Sequence, residues 1–219
     1  RLRPLTDTMP KPMVPFHGRP FLEYLVEMLA EQGVERILML LGYLADAIKE
    51  HFGDGRRFGI AITYLNEEHL LGTAGSLAML EPPNTTTLVI NGDILTQINL
   101  RELFAYHREY NADLTVAVHK HEIQVPFGVV ECEGPLVRSL TEKPQFDYFI
   151  NAGIYLLEPP TIALIPKGEH IDMTDLIQMV LAEARPVAAF PIHEYWIDIG
   201  QQADYRQAQD DLQAGKTTR

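Results

Sequence analysis

The 219-residue sequence has one cysteine, one tryptophan and too few cations to balance its acids. A single cysteine, Cys132, allows no internal disulfide, so the chain is not stapled like a small secreted domain, and a reducing, cytoplasmic setting is expected. Cys132 itself reads as a small residue in or beside a strand. With 18 Lys and Arg against 30 Asp and Glu, the formal net charge is −12. That balance argues against a nucleic-acid partner, because affinity for a phosphate backbone comes from clustered cations. It does not exclude a small polyphosphate, for which a few placed cations and a metal suffice. No apolar run approaches the roughly 18–20 residues of a membrane span, so no membrane partner is expected. The eight histidines show no zinc spacing; His119 and His121, flanking Lys120, would share one face of a strand. Neither a Ser-His-Asp, a Cys-His nor a paired-glutamate pattern stands out.

What is present is a chain that is 46% hydrophobic and 22% charged, enough to bury a substantial core in one domain. Apolar residues at Phe21, Leu22, Leu25, Val26, Met28 and Leu29 recur at helical spacing after Pro20, and Gly33 stops the run. The continuous run Arg36-Ile-Leu-Met-Leu-Leu41 predicts a strand buried on both faces and hence a parallel sheet. Helix near 44–52, strand at 60–65, a short helix after Thr73, strand at 87–91, helix at 100–110 and strand at 114–119 continue the alternation of a layered α/β fold. From Phe127 the rhythm changes to strands at 128–131, 137–142 and 149–158 with short turns, which predicts an antiparallel or mixed extension. A helix at 172–184, strands at 187–192 and 196–199 and a helix at 201–212 close the chain. No repeat, low-complexity tract or linker divides it.

Five segments carry residues suited to chemistry, each with a plainer alternative. Asp93 ends the buried strand Leu88-Val-Ile-Asn-Gly-Asp93, where ligands bind in open α/β sheets; a turn or cap Asp is the other reading. Asp198, in Tyr195-Trp-Ile-Asp-Ile-Gly200, is a second such carboxylate, and two of them suit Mg²⁺ held with phosphate oxygens and water. It also reads as a cap of the last helix. Arg1, Arg3 and Lys11 place three cations on a proline-stiffened segment fit for polyphosphate or simply solvated. Leu70-Leu-Gly72-Thr73-Ala-Gly75 opens a helix where backbone amides are free for an anion or a base edge, without being a P-loop. Glu142, Lys143 and Asn151 offer donors and acceptors for sugar hydroxyls and phosphate; Glu142 and Lys143 equally make a surface pair of little energetic consequence.

In order, Arg1–Thr6, Pro10–Met13, Gly72–Ala74, Gly92-Asp93, Glu142–Pro144, Asn151–Tyr155 and Trp196–Gly200 resemble the fingerprint of the sugar-1-phosphate nucleotidylyltransferases: GGxGTRLxPLT, PKPM, GTA, GD, EKP, NAGIY and WxDxG. The resemblance covers nearly the whole chain. It implies a Rossmann-like layered mixed sheet of the nucleotide-diphospho-sugar transferase fold. It also implies a single catalytic domain over 1–219, N-terminally incomplete because the first strand and glycine loop lie before Arg1. The implied reaction joins a nucleoside triphosphate to a sugar 1-phosphate with Mg²⁺ and releases pyrophosphate. Arg1 and Lys11 are then the catalytic phosphate-binding cations, and Gly72, Thr73 and Asp93 face the nucleotide with Arg1. Gly128, Glu142, Lys143, Asn151 and Gly153 form the sugar-phosphate pocket, and Asp93 and Asp198 are the metal ligands.

The runs Gln124–Val130, Phe149–Tyr155, Asp172–Asp175 and Phe190–Trp196 look most like bacterial glucosamine-1-phosphate and mannose-1-phosphate guanylyltransferases that serve cell-surface glycan synthesis. That favours GTP and leaves open an upstream regulatory CBS pair and a homo-oligomer. A non-catalytic, nucleotide-sugar-binding homologue is the rival reading; such proteins tend to lose the metal carboxylates, and both are kept here.

Overall fold

A computed structural model describes residues 2, 6, 9–42, 44–67, 69–81 and 83–216. A 3₁₀ turn at Lys11–Met13 leads into a tight hairpin, β1 (Pro15–Phe16) and β2 (Arg19–Pro20). Helix α1 (Phe21–Glu31) buries Phe21, Leu22, Leu25, Val26 and Leu29, and Gly33, at φ +84°, ends it with its amide on the Ala30 carbonyl. Strand β3 (Arg36–Leu41), helix α2 (Ala45–Phe52) and strand β4 (Ala61–Asn66) form a parallel βαβ unit. There follow α3 (Gly72–Gly75), β5 (Thr87–Ile90), β6 (Ile94–Thr96), α4 (Leu100–Glu109), β7 (Leu114–Gln124), β8 (Val129–Glu133) and β9 (Leu136–Thr141). The chain ends with β10 (Gln145–Leu157), α5 (Pro159–Ile162), α6 (Met173–Ala182), β11 (Val187–Ile192), β12 (Trp196–Asp198) and α7 (Gln202–Gln213).

The central sheet has the order β11-β7-β10-β5. It is mixed: β11 runs parallel to β7, whereas β10 is antiparallel to both β7 and β5. Alternation along the strands divides the core. Ala117, Ile154 and Leu156 pack with α1 and α4, and Leu114, Tyr155 and Leu157 pack with α6. A third cluster, with Leu2, Val14, Phe16, Phe21, Leu95, Ile199 and Ala208, lies under α7. The expected layered α/β class is therefore present.

Two expectations need correction. Strand β3 is not buried on both faces, since Leu38 is 43% exposed and Arg36 is exposed as well. Strands β7 and β10 run past the expected limits, pairing from Gln145↔Gln124 inward, and with the ribbon β8–β9 they form an arm whose side chains are mostly exposed.

At the end of the sheet where β5 begins, a polar network ties three strands together. The Thr86 hydroxyl donates to Glu158 Oε1 at 2.5 Å, and buried His107 lies 3.0 Å from the same oxygen and 2.7 Å from Thr115 Oγ1. The Thr86 hydrogen bond, reinforced by His107 and only partly opposed by burial, holds the Glu158 carboxyl below its ordinary value. A lowered carboxylate stabilises the fold above the unfolded value of about 4.3 and ceases to as pH falls through the native one. Glu158→Gln should therefore lower the urea midpoint at pH 7, with the gap to wild type closing below about pH 4.3. A gap that stays constant into acid would contradict this.

Candidate active site

Two short strands bring distant carboxylates together. Strand β6 pairs antiparallel with β12, matching Ile94 to Asp198 and Thr96 to Trp196, and the Ile199 amide extends the ladder by donating to the Asp93 carbonyl at 3.1 Å. Asp93 and Asp198, 105 positions apart in sequence, thus stand side by side at the end of β5. Lys11 lies between them. Its Nζ is 2.5 Å from Asp93 Oδ2 and 3.5 Å from Asp198 Oδ1. The prolines on either side of Lys11, with the Met13 and Val14 amides bonded to the Pro10 and Lys11 carbonyls, fix the turn that presents it.

Burial, then the negative charge of Asp93, raises the Asp198 carboxyl above its ordinary value, against a smaller opposing pull from Lys11. Asp198 is not a cap of α7, where the Gln201 amide instead donates to Asp204 Oδ2.

Gly153 joins this centre to the sugar-phosphate residues expected from sequence. It sits in a bulge where the register of β10 against β7 shifts between Asn151 and Tyr155. Its φ is +70°, and a Cβ there would come within 2.6 Å of Ile94 Cδ1 and 2.7 Å of Asn91 Nδ2, so only glycine fits. Asn151 Oδ1 accepts from the Gly153 amide at 2.9 Å, and the Asn91 amide donates to the Gly153 carbonyl. Asn151 and Gly153 thereby abut the residues on either side of Asp93.

Gly128, Glu142 and Lys143 stand apart on the arm. A Cβ on Gly128 would meet Glu142 Oε2 at 3.0 Å, which puts that carboxylate over the glycine. Lys143 has φ +48° and its amide reaches the Phe127 carbonyl at 3.3 Å. Among the described residues no hydrogen bond or ion pair joins these three to Asp93 or Asp198. Arg1 and Arg3 lie outside the described residues. Leu2, between them, is 1% exposed in the cluster with Leu95 and Ile199, so this side chain packs behind the carboxylate ribbon.

The glycine turn at 72–75 is built differently from expectation. The Thr73 amide donates to Asp172 Oδ1, and the Ala74 and Gly75 amides share the Ile171 carbonyl. The Thr73 hydroxyl donates to Asp172 and accepts from the Met173 amide. These amides are therefore engaged within the fold. Gly72, at φ +76°, is required because a Cβ would stand 2.5 Å from the Ile171 carbonyl.

The donor set fits Mg²⁺, which takes one or two carboxylates and completes its shell with phosphate and water. The cation already drawn between Asp93 and Asp198 is the ammonium of Lys11. Among the described residues no group of three or more His, Cys, Asp and Glu is placed to hold a metal alone.

Over residues 1–215 the sequence matches the family described as nucleotidyl transferase. The chain belongs to this family. Mannose-1-phosphate guanylyltransferase of Mycobacterium tuberculosis is 35% identical over 98% of this chain, and UTP–glucose-1-phosphate uridylyltransferase of Synechocystis is 34% identical over 95%. The chain spans 62% and 59% of the length of these two relatives. The crystal structure of HddC from Yersinia pseudotuberculosis complexed with GMP-PN superposes with a TM-score of 0.74 at 27% identity, over 97% of this chain and 94% of that one.

The structure brings together Asp93, Asp198 and Lys11, all named from sequence, through a strand, β6, that the sequence did not reveal. Ile94, Leu95 and Thr96 are all buried, so the segment has no alternation to read; the one signal was its position directly after Gly92-Asp93.

If Lys11 relieves the repulsion between Asp93 and Asp198, Lys11→Met should lower stability at pH 7 by about 1 kcal/mol or less, the range for partly exposed pairs. Adding Asp93→Asn should restore most of it in urea unfolding. A double variant no more stable than Lys11→Met would remove the repulsion from the account.

Proposed function

We propose that the intact protein transfers a nucleotidyl group from a nucleoside triphosphate to a sugar 1-phosphate, releasing pyrophosphate. The observation that carries this reading is the Asp93–Lys11–Asp198 cluster, supported by membership of the nucleotidyl transferase family. Guanine is favoured as the base, since a relative is named a guanylyltransferase and HddC was crystallised with GMP-PN. A uridylyltransferase of nearly equal identity is the competing precedent. The sugar is of the glucosamine or mannose 1-phosphate type. The setting is bacterial and cytoplasmic, and no helix among the described residues is long and apolar enough to cross a membrane.

In the reaction, a phosphate oxygen of the sugar 1-phosphate forms a bond to the α-phosphorus, the α–β bridging P–O bond breaks, and its electron pair leaves with pyrophosphate. A phosphate dianion is already a competent nucleophile, so no protein base is needed and positioning carries the rate. Asp93 and Asp198 would hold Mg²⁺, which when bound neutralises phosphate oxygens as charge gathers on them. Lys11, a compact point charge on a flexible stem, turns from the carboxylates to the triphosphate, joined there by Arg1. Gly72 faces the base, while Thr73, whose amide and hydroxyl are held by Asp172 and the Met173 amide, fixes the turn that presents it. Asn151 and Gly153, with Gly128, Glu142 and Lys143 on the arm, receive the sugar phosphate.

Asp93→Asn and Asp198→Asn in the full-length protein should each reduce pyrophosphate release at least about 100-fold, the loss expected when transition-state charge goes unstabilised, with circular dichroism unchanged. Turnover within a few-fold of wild type in either variant would remove that Asp from the site. A protein that binds the nucleotide sugar but releases no pyrophosphate with any triphosphate would favour the regulatory reading instead.

A further inference from the structure

The chain's single tryptophan, Trp196, opens β12 two residues before Asp198. Its indole N–H donates to the Ala152 carbonyl at 2.9 Å. Its ring lies on His119, with centroids 5.0 Å apart and planes 28° from parallel. Ala152 is the middle residue of the Asn151–Gly153 bulge, and His119 stands on β7 opposite Ile150. One side chain therefore touches all three pieces of the centre: the strand that carries Asp198, the bulge that abuts Asp93, and the root of the arm.

These contacts add to what holds β12, a short strand backed by the apolar cluster of Leu95 and Ile199. It is three residues long and among the described strands pairs only with β6, itself three residues long. Isolated two-stranded ribbons of this size are marginal in water. The Asp198 side chain is 47% exposed, so packing around the carboxylate does not fix it either. The stack on His119 and the hydrogen bond to Ala152 join β12 to the four-stranded sheet, beside the close approach of Ile94 on β6 to Gly153.

The form of the His119 contact is informative. Its Nδ1 is buried with no hydrogen-bond partner, and burial, with a smaller contribution from His121, favours the neutral ring. The flat face laid on the indole is thus the interaction the structure records for this side chain, and a phenyl ring can supply it.

We propose that Trp196 and His119 are positioning residues that hold Asp198 in place beside Asp93 and couple the carboxylate pair to the Asn151–Gly153 bulge. This rests on the reading of Asp93 and Asp198 as the metal ligands. It follows that metal affinity depends on two rings that never touch the metal, as partners behind metal ligands commonly set affinity by 10–100-fold. The same geometry makes Trp196 a built-in reporter, since its fluorescence arises two residues from the binding carboxylate.

The test uses Mn²⁺ alone as the probe on the full-length protein. Free Mn²⁺ is counted by electron paramagnetic resonance and Trp196 fluorescence is followed in parallel. His119→Ala should raise the Mn²⁺ Kd about tenfold, and His119→Phe should restore it to within about twofold of wild type. Trp196→Phe, which keeps a ring but loses the bond to Ala152, should weaken binding several-fold, and it carries the test if His119→Ala does not fold. For these variants kcat for pyrophosphate release at saturating Mn²⁺ should stay within about threefold of wild type, because the ligands themselves are intact. Wild-type Mn²⁺ affinity in both His119→Ala and Trp196→Phe, with Asp198→Asn losing the ion, would overturn this proposal while leaving the metal site standing. Asp198→Asn binding Mn²⁺ as wild type does would overturn both.

Discussion

Two carboxylates held within reach of a single ammonium are the constraint on which the rest of the structure depends. Burial, and after it the negative charge of Asp93, raises the Asp198 carboxyl despite the nearby Lys11. Such an arrangement is retained only if the backbone enforces it. The enforcement comes from the β6–β12 ribbon, which fixes Asp93 and Asp198 to one register, and from the proline-flanked turn that delivers Lys11 between them. Behind the ribbon, Leu95 and Ile199 sit in an apolar cluster that takes in Leu2, Phe16 and Ala208. Burial of that cluster supplies the driving force that the polar face lacks.

Much of this was legible in the sequence, and the parts that were not share physical causes. Helix α1 announced itself through apolar spacing and Gly33, and Asp93 through an apolar run that leads into Gly-Asp. Asp198 was found and paired with Asp93, but the β6–β12 ribbon that sets them side by side was not, because β6 is too short to show a period. The arm was underestimated for the opposite reason. Lys120, Glu122, Gln124 and Asp147 interrupt any apolar pattern, yet their backbones pair in full register outside the core. Hydrophobic periodicity reports burial, and a strand exposed on both faces gives it nothing to report.

The turn at 72–75 teaches a related lesson. A glycine-rich helix start reads as a set of free amides, but Asp172 and Ile171, a hundred positions later, accept those of Thr73, Ala74 and Gly75. Whether an amide is free is a tertiary property. By contrast, Gly153 was singled out by motif as a sugar-phosphate residue, and the structure shows a need for glycine of its own: at φ +70° against Ile94 and Asn91 there is room for a hydrogen and nothing larger. Family membership then gives these local facts a common purpose, with the bulge, the ribbon and Lys11 converging on one end of the mixed sheet.

The most direct measurement of the central claim is anomalous diffraction from crystals of the full-length protein grown with Mn²⁺ and a non-hydrolysable guanosine triphosphate analogue. The account predicts one manganese peak bonded to carboxylate oxygens of both Asp93 and Asp198, at about 2.1 Å as for a hard divalent ion, with Lys11 Nζ moved from Asp93 to a phosphate oxygen. A nucleotide bound with the Lys11–Asp93 pair intact and manganese elsewhere would contradict it.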